Sequence, residues 1–254
     1  MKNAFLPGVP AELVVAAYAA APGNEIESGK FLSPESSAAL AANTFGFFLD
    51  RPSDLPPLPG IDSMGSPVTK VGLEVVVRFP WAGGRHPCLD ALIQTESTLI
   101  GIESKRYEPF RTKSKSSLSK AYWQNVWGSA MEGYARVRDD LRDRDRMFTR
   151  LDAGQLFKRA FGLRSAVHRE PHTGKKPVLF YLYSEPSNWP DGRVIPLTDI
   201  ERHQLEIRRF SECVAGDEVE FQSCSYRELM SSWRNCGNSD VRAHASAIEA
   251  HFAI

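Results

Sequence analysis

The chain has 254 residues, of which 42% are apolar, so it is long enough to bury a sizeable core in one large domain. Its 31 basic and 31 acidic side chains give a formal net charge of zero. This balance excludes a global electrostatic attraction to nucleic acid or to a membrane surface, and any site for an anionic partner must be a local patch.

Two helices are predicted ahead of the first strand. The first covers 11–21; its apolar stretch is too short to span a bilayer, so no membrane contact is expected. The second begins near Ser33, a plausible N-cap, with Pro34 in the first turn, where a missing N–H costs nothing. The segment 52–67 is rich in proline and glycine and is interpreted as a surface connection.

Strands and helices alternate in the rest of the chain. The predicted strands, rich in β-branched and other apolar residues, are 71–81, 88–95, 98–105, 178–183 and 219–224. Apolar residues at helical spacing predict helices over 123–141 and 200–214. Ser225 and Glu228 match a capping box that opens a further helix. This order predicts an α/β protein, and we expect one domain over 1–254, with 1–32 and 225–254 as helical extensions.

The second and third strands are joined by so short a link that they should form an antiparallel hairpin. A turn centred on residues 96–97 pairs Ile93 with Ile100. In the same register Ala91 pairs with Ile102. These four residues make one consistently apolar face, and the side-chain pattern therefore determines the register.

The other face of the hairpin carries the charged residues. The register places Asp90 opposite Glu103, with Lys105 two residues further along the same face. Two carboxylates about 4 Å apart repel by about 4 kcal/mol at an effective dielectric near 20. A divalent cation with oxygen ligands is the simplest compensation. Lys105 alone could also neutralise the pair, and ordinary polar residues on a solvated strand face remain an alternative.

An aspartate followed about a dozen residues later by Glu-x-Lys on the adjacent strand resembles the PD-(D/E)XK, or restriction-endonuclease-like, nuclease superfamily. The layout of 33–224 is similar to that group as well, although Leu89 stands where its pattern has proline. The resemblance implies a three-layer α/β/α core (αβββαβ) with a mixed central sheet and extra C-terminal helices.

For the site, the resemblance implies Mg²⁺, with Mn²⁺ as an alternative, held by Asp90, Glu103 and the backbone carbonyl of Ser104. Lys105 would orient or help deprotonate the attacking water, while the metal polarises the scissile phosphate. Many members also place a carboxylate on or before the first helix. The candidates for that carboxylate are Glu25, Glu27 and Glu35, of which Glu25 and Glu35 are preferred.

A basic loop follows the predicted site and could grip a phosphate backbone with salt-sensitive affinity. Its basic residues are Arg106, Arg111, Lys113, Lys115 and Lys120. A solvated loop is the alternative interpretation. Some superfamily lineages carry a polar residue, often glutamine, in the next helix near the metal, so the resemblance implies Gln124 as an addition to the site.

The leading hypothesis is therefore a metal-dependent nuclease that acts on DNA in preference to RNA. The alternative is a nuclease-fold protein without turnover that only binds nucleic acid. A glycosidase with Asp90 and Glu103 as its acid and base is disfavoured, because Lys105 on the same face suits phosphate chemistry better. Cutting both strands often needs two active sites, which would suit a homodimer.

The four cysteines lack the paired spacing of a zinc site. His86 and Cys88 lie close to Asp90, but no second pair of ligands accompanies them. We expect reduced thiols in a cytoplasmic protein, because a domain of this length does not need disulfides.

Overall fold

The structure, a computed structural model, describes residues 4–61, 65–111, 118–143 and 147–254. In these ranges one sheet has the strand order β1 to β5: β1 (Lys70–Val76), β2 (Cys88–Gln94), β3 (Thr98–Lys105), β4 (Lys176–Tyr183) and β5 (Glu220–Ser225). Strands β1, β2 and β3 pair antiparallel, whereas β3, β4 and β5 pair parallel. The sheet is therefore mixed, as the sequence predicted.

The helices of the described residues cover both faces of the sheet. They are α1 (Ala11–Ala20), α2 (Ser37–Gly46), α3 (Glu132–Asp143), α4 (Ala153–Val167), α5 (Leu197–Val214), α6 (Tyr226–Arg234) and α7 (Ser239–Phe252). One buried apolar cluster joins the sheet to α1, α2, α6 and α7, and a second joins it to α3, α4 and α5. This is the expected three-layer α/β/α architecture. Within the described ranges, no helix is long and apolar enough to cross a membrane.

The hairpin of β2 and β3 has the predicted register. Ile93 pairs with Ile100, and Ala91 pairs with Ile102. All four side chains are fully buried in the cluster under α2, whereas Leu92 on the opposite face packs with α4. Helices therefore exclude water from both faces of the sheet, and β3 is buried along nearly its whole length.

The predicted helix over 123–141 is confirmed only from Glu132 onward, and its predicted start is wrong. A 3₁₀ turn (Lys120–Trp123) comes first, Gly128 then adopts φ +73°, and α3 begins only at Glu132. A positive φ is easy for glycine but interrupts a right-handed helix, and the apolar spacing carried no sign of that break. The following helix, α4, was not predicted. Asp152 caps it by accepting a hydrogen bond from the Gln155 N–H.

The second predicted helix begins later than expected. Ser36, and not Ser33, caps α2 through a 3.0 Å hydrogen bond from the Ala39 N–H to its hydroxyl. Pro34 and Glu35 therefore lie in the turn before the helix. This shift moves Glu35 away from the helical position that the sequence suggested.

Candidate active site

The carboxyl ends of three parallel strands meet at one edge of the sheet. Lys105 at the end of β3 pairs with Tyr183 at the end of β4, and Tyr183 pairs with Ser225 at the end of β5. Strand β2 runs in the opposite direction, so Asp90 near its beginning lies at the same edge. This edge is where open α/β sheets bind ligands.

Asp90 is attached to the end of β3 by a short hydrogen bond. The regular pairing of β2 with β3 stops at Ala91 and Ile102. Beyond that point, the Ser104 N–H donates to Oδ2 of Asp90 over 2.6 Å. The Ser104 hydroxyl in turn shares a 2.6 Å hydrogen bond with the hydroxyl of Tyr226 in α6. These bonds fix the Asp90 carboxylate beside the Glu-x-Lys segment.

Glu103 is fully buried and lies between two cations. Nζ of Lys105 is 2.6 Å from its Oε1, and Nε of Arg159 in α4 forms an ion pair with its Oε2. Each carboxylate oxygen thus faces one cation, and neither has a further hydrogen-bond partner among the described residues. The cations themselves are 13% and 12% exposed. The charge of Glu103 is therefore balanced from two different layers of the fold.

Burial dominates the electrostatics of this cluster. It raises the pKa of Glu103 to about 7, although the charges of Arg159 and Lys105 lower it. It also raises the pKa of Asp90, again against the effect of Lys105 and Arg159. For Lys105, burial lowers the pKa, but the combined negative charges of Glu103, Glu108 and Asp90 outweigh burial and the net shift of the pKa is upward. Carboxylates desolvated in this way favour a nearby cation.

Glu74 in β1 is a neighbouring acid that the sequence analysis missed. It has φ +51° and lies level with Asp90, between two regular pairs of the ladder to β2. Burial raises its pKa, against a hydrogen bond from Cys88, and the charge of Glu25 adds to the rise. Glu25, a candidate from the sequence, thus lies within electrostatic reach of this acid. The sequence signal that could have identified Glu74 is its position as a charged residue inside a valine-rich strand.

Arg159 in α4 reaches the cluster of Asp90, Glu103 and Lys105, whereas Gln124 does not. Gln124 is exposed directly after the 3₁₀ turn, and no described contact joins it to Asp90 or Glu103. The prediction for Gln124 depended on a continuous helix, which Gly128 interrupts. Arg159 lies among the buried apolar residues of α4. Its position on the same helical face as the buried residues Leu156 and Leu163 was the signal that could have identified it.

Arg106 does not belong to a nucleic-acid surface, contrary to the sequence prediction. Its side chain is buried, and its guanidinium donates to the carbonyl oxygens of Pro34 and Phe252, the latter over 2.6 Å. Its N–H donates to Glu108 over 2.8 Å. Arg106 therefore ties the end of β3 to the chain before α2 and to the end of α7. A charged residue directly after a buried strand can thus hydrogen-bond to the protein's own backbone instead of binding a ligand.

The other predicted phosphate contacts have different outcomes. Arg111 has a half-exposed side chain and forms an ion pair with Glu35, which places Glu35 beside Arg111 and in no described contact with Asp90 or Glu103. Lys120 is exposed at the start of the 3₁₀ turn. Lys113 and Lys115 lie outside the described residues.

The donors near Glu103 fit a hard divalent cation. Asp90 and Glu103 supply carboxylate oxygens, and those of Glu103 are buried and face the cations of Lys105 and Arg159. Within the described residues, no three His, Cys, Asp or Glu side chains could hold a metal by themselves. The Ser104 carbonyl, water and a substrate phosphate would have to complete the set, and magnesium sites commonly have this composition. Lys105 would have to leave Oε1 for a metal to bind there.

Comparison with known proteins gives one match. A family model described as "Restriction Endonuclease associating with ARP" matches residues 16–248, which covers the whole sheet and both helical layers. Searches of curated proteins and of solved structures found no match.

Proposed function

The chain belongs to this restriction endonuclease family, and from that premise we propose that it is a metal-dependent nuclease that hydrolyses phosphodiester bonds in DNA. Family membership indicates nuclease activity with DNA as substrate, and nucleases of this kind usually need divalent metals. The observation that carries the finer proposal is the contact of Glu103 with Lys105 beside the anchored Asp90.

In the proposed site, Asp90, Glu103 and the Ser104 carbonyl hold Mg²⁺ or Mn²⁺. The bound metal would supply charge that polarises the scissile phosphate and lowers the pKa of a coordinated water. The hydrogen bond from the Ser104 N–H keeps Asp90 in place and thereby positions one ligand before the metal arrives. All three ligands lie on strands and not on loops, which limits their movement.

Lys105 is proposed to orient the attacking water. Its ammonium lies 2.6 Å from the Glu103 carboxylate, and its side chain is 13% exposed at the sheet edge, where a phosphate can approach. An ammonium in this position can also donate a hydrogen bond to a phosphate oxygen as negative charge develops there. To act on the water or the phosphate, the Lys105 ammonium thus needs to move only a short distance from Oε1 of Glu103.

The activity test uses supercoiled, linear and single-stranded DNA, and RNA, each with Mg²⁺, Mn²⁺ or EDTA. We expect DNA cleavage that requires the metal. In Asp90→Ala and Lys105→Ala, the rate should fall by about a hundredfold or more, which is typical for the loss of a preorganised electrostatic group.

Lys176→Ala is the matched control for Lys105→Ala. Lys176 is also a strand lysine paired with a glutamate, Glu220, but it starts β4 at the opposite edge of the sheet. Its replacement should leave cleavage unchanged. Full cleavage by the Asp90 and Lys105 variants would refute the proposed site. Binding of DNA without cleavage under every metal would favour the alternative, a nuclease-fold protein without turnover.

We also propose that Arg111 and Lys120 contact the phosphate backbone. Both follow β3, and both are exposed in the structure. Each replacement by alanine should weaken DNA binding uniformly across sequences. It should also reduce the salt slope, the slope of log binding constant against log salt concentration, by about one. An unchanged slope would assign these residues to the solvated surface.

The family name also points to a partner, denoted ARP, with which the endonuclease associates. We propose that this chain likewise acts beside such a partner, and that two copies of the site are needed to cut both strands. Sedimentation of the protein alone and with DNA tests the second part: a monomer that cuts both strands at once would contradict it.

A further inference from the structure

Arg159 forms an ion pair that crosses the layers of the fold. Its α4 backbone packs on the outer face of β3 and β4, and its guanidinium reaches Oε2 of Glu103. Lys105 occupies the other oxygen, Oε1. One carboxylate is thus held by two cations, although one cation would neutralise its charge.

Stability alone is a weak reason for this arrangement. Both partners are largely withdrawn from water, Glu103 completely, and buried ion pairs often stabilise less than well-packed apolar residues of similar size. Arg159 shares a helical face with the buried residues Leu156 and Leu163, where an aliphatic side chain would pack against the same cluster. The contact therefore calls for a role beyond packing.

The two oxygens of Glu103 are not equivalent. Oε1 faces Lys105, which ends β3 at the carboxyl edge of the sheet, where substrate would approach. Oε2 faces inward to a residue anchored on a long helix that Asp152 caps. A carboxylate held by Oε2 cannot rotate freely, so Oε1 keeps its direction toward the edge.

We propose that Arg159 is a positioning residue that holds Oε2 of Glu103 so that Oε1 is presented to the catalytic metal. This inference rests on the proposed function. Residues that bind the outer side of a metal ligand typically contribute 10–100-fold to metal affinity. Arginine suits the task because its planar guanidinium restricts carboxylate orientation more than an ammonium does.

The test measures Mn²⁺ binding without DNA, by electron paramagnetic resonance, so that activity is not the readout. Arg159→Met removes the contact but keeps an unbranched side chain, and its Mn²⁺ affinity should fall by about tenfold or more. Arg159→Lys restores a cation without the planar fork and should bind with intermediate affinity. Wild-type-like or tighter binding by Arg159→Met would overturn the inference and make Arg159 a mere counter-charge.

Arg164→Met is the matched control. Arg164 lies on the same helix, is 17% exposed and pairs with Glu218 instead of Glu103, so its loss should leave Mn²⁺ affinity unchanged. An equal loss of affinity in Arg164→Met would also overturn the inference, because it would trace the effect to damage of α4. Circular dichroism checks folding. If Arg159→Met does not fold, Arg159→Gln replaces it with the same tenfold criterion.

The same measurement separates this inference from the proposed function on which it rests. A wild-type protein that binds no Mn²⁺ refutes the proposed function itself. Normal Mn²⁺ binding by the wild type with no effect of the Arg159 replacement refutes only this inference.

Discussion

Glu206 in α5 holds the chain segment that leads into α4, and we expect Glu206→Gln to destabilise the protein strongly. The side chain is 2% exposed. Its carboxylate accepts hydrogen bonds from the consecutive N–H groups of Thr149, Arg150 and Leu151, and from Nε of Arg202. Glutamine keeps the shape but turns an N–H₂ group toward donors, and it removes the negative charge that they share.

The expected loss follows from the pKa of this carboxyl. Burial raises the pKa, but the hydrogen bonds from Leu151, Thr149, Arg202 and Arg150 outweigh it and lower the pKa from 4.5 to about 2. Each tenfold change in acidity corresponds to about 1.4 kcal/mol, so ionised Glu206 contributes roughly 3 kcal/mol to folding. Because the folded pKa is depressed, this contribution is complete above about pH 5 and is lost as pH falls toward 2.

The assay is urea denaturation of the wild type and Glu206→Gln at several pH values. The difference in unfolding free energy should be about 3 kcal/mol at pH 7 and should shrink between pH 4.5 and pH 2 as wild-type Glu206 protonates. Glu212→Gln, at an exposed position of the same helix, is the control and should change stability by less than about 0.5 kcal/mol. A Glu206 effect below about 1 kcal/mol, or one that is independent of pH, would refute the reasoning.

Three further predictions concern other parts of the fold. Arg106→Met should lower the unfolding free energy by about 2 kcal/mol, because the carbonyl groups of Pro34 and Phe252 lose their donor and the latter is buried. The salt dependence of DNA binding should stay unchanged, and a weaker salt dependence in this variant would show that Arg106 contacts DNA. Gly133→Ala should cost about 1–3 kcal/mol in urea unfolding, since a Cβ there would lie 2.5 Å from the Cys213 carbonyl oxygen of α5, and an unchanged midpoint would contradict this packing. Burial lowers the pKa of His244 to about 4, so its NMR titration should have a midpoint near 4 and stability should fall as pH drops from 6.5 to 4; a midpoint near 6.5 would contradict its burial.

Local patterns in the sequence were sufficient for the hairpin and for part of the site. The pairing of Ile93 with Ile100 follows from side-chain alternation across a short turn, since a slip by one residue would expose the apolar face. The same rule brought Asp90, Glu103 and Lys105 to one sheet edge. The start of the helix predicted over 123–141 was wrong, because apolar spacing does not show where a glycine takes a positive φ.

The sequence by itself determined the succession of strands along the chain, the register of the hairpin and the Glu-x-Lys segment, because these depend on neighbours only a few residues apart. Only the tertiary structure decided which cations and acids surround Glu103. Arg159 reaches it from α4 and Glu74 approaches from β1, while Arg106 turns away to the end of α7. Such contacts depend on how layers distant in the chain pack together, and no local periodicity encodes the direction of a long charged side chain across a packed interface.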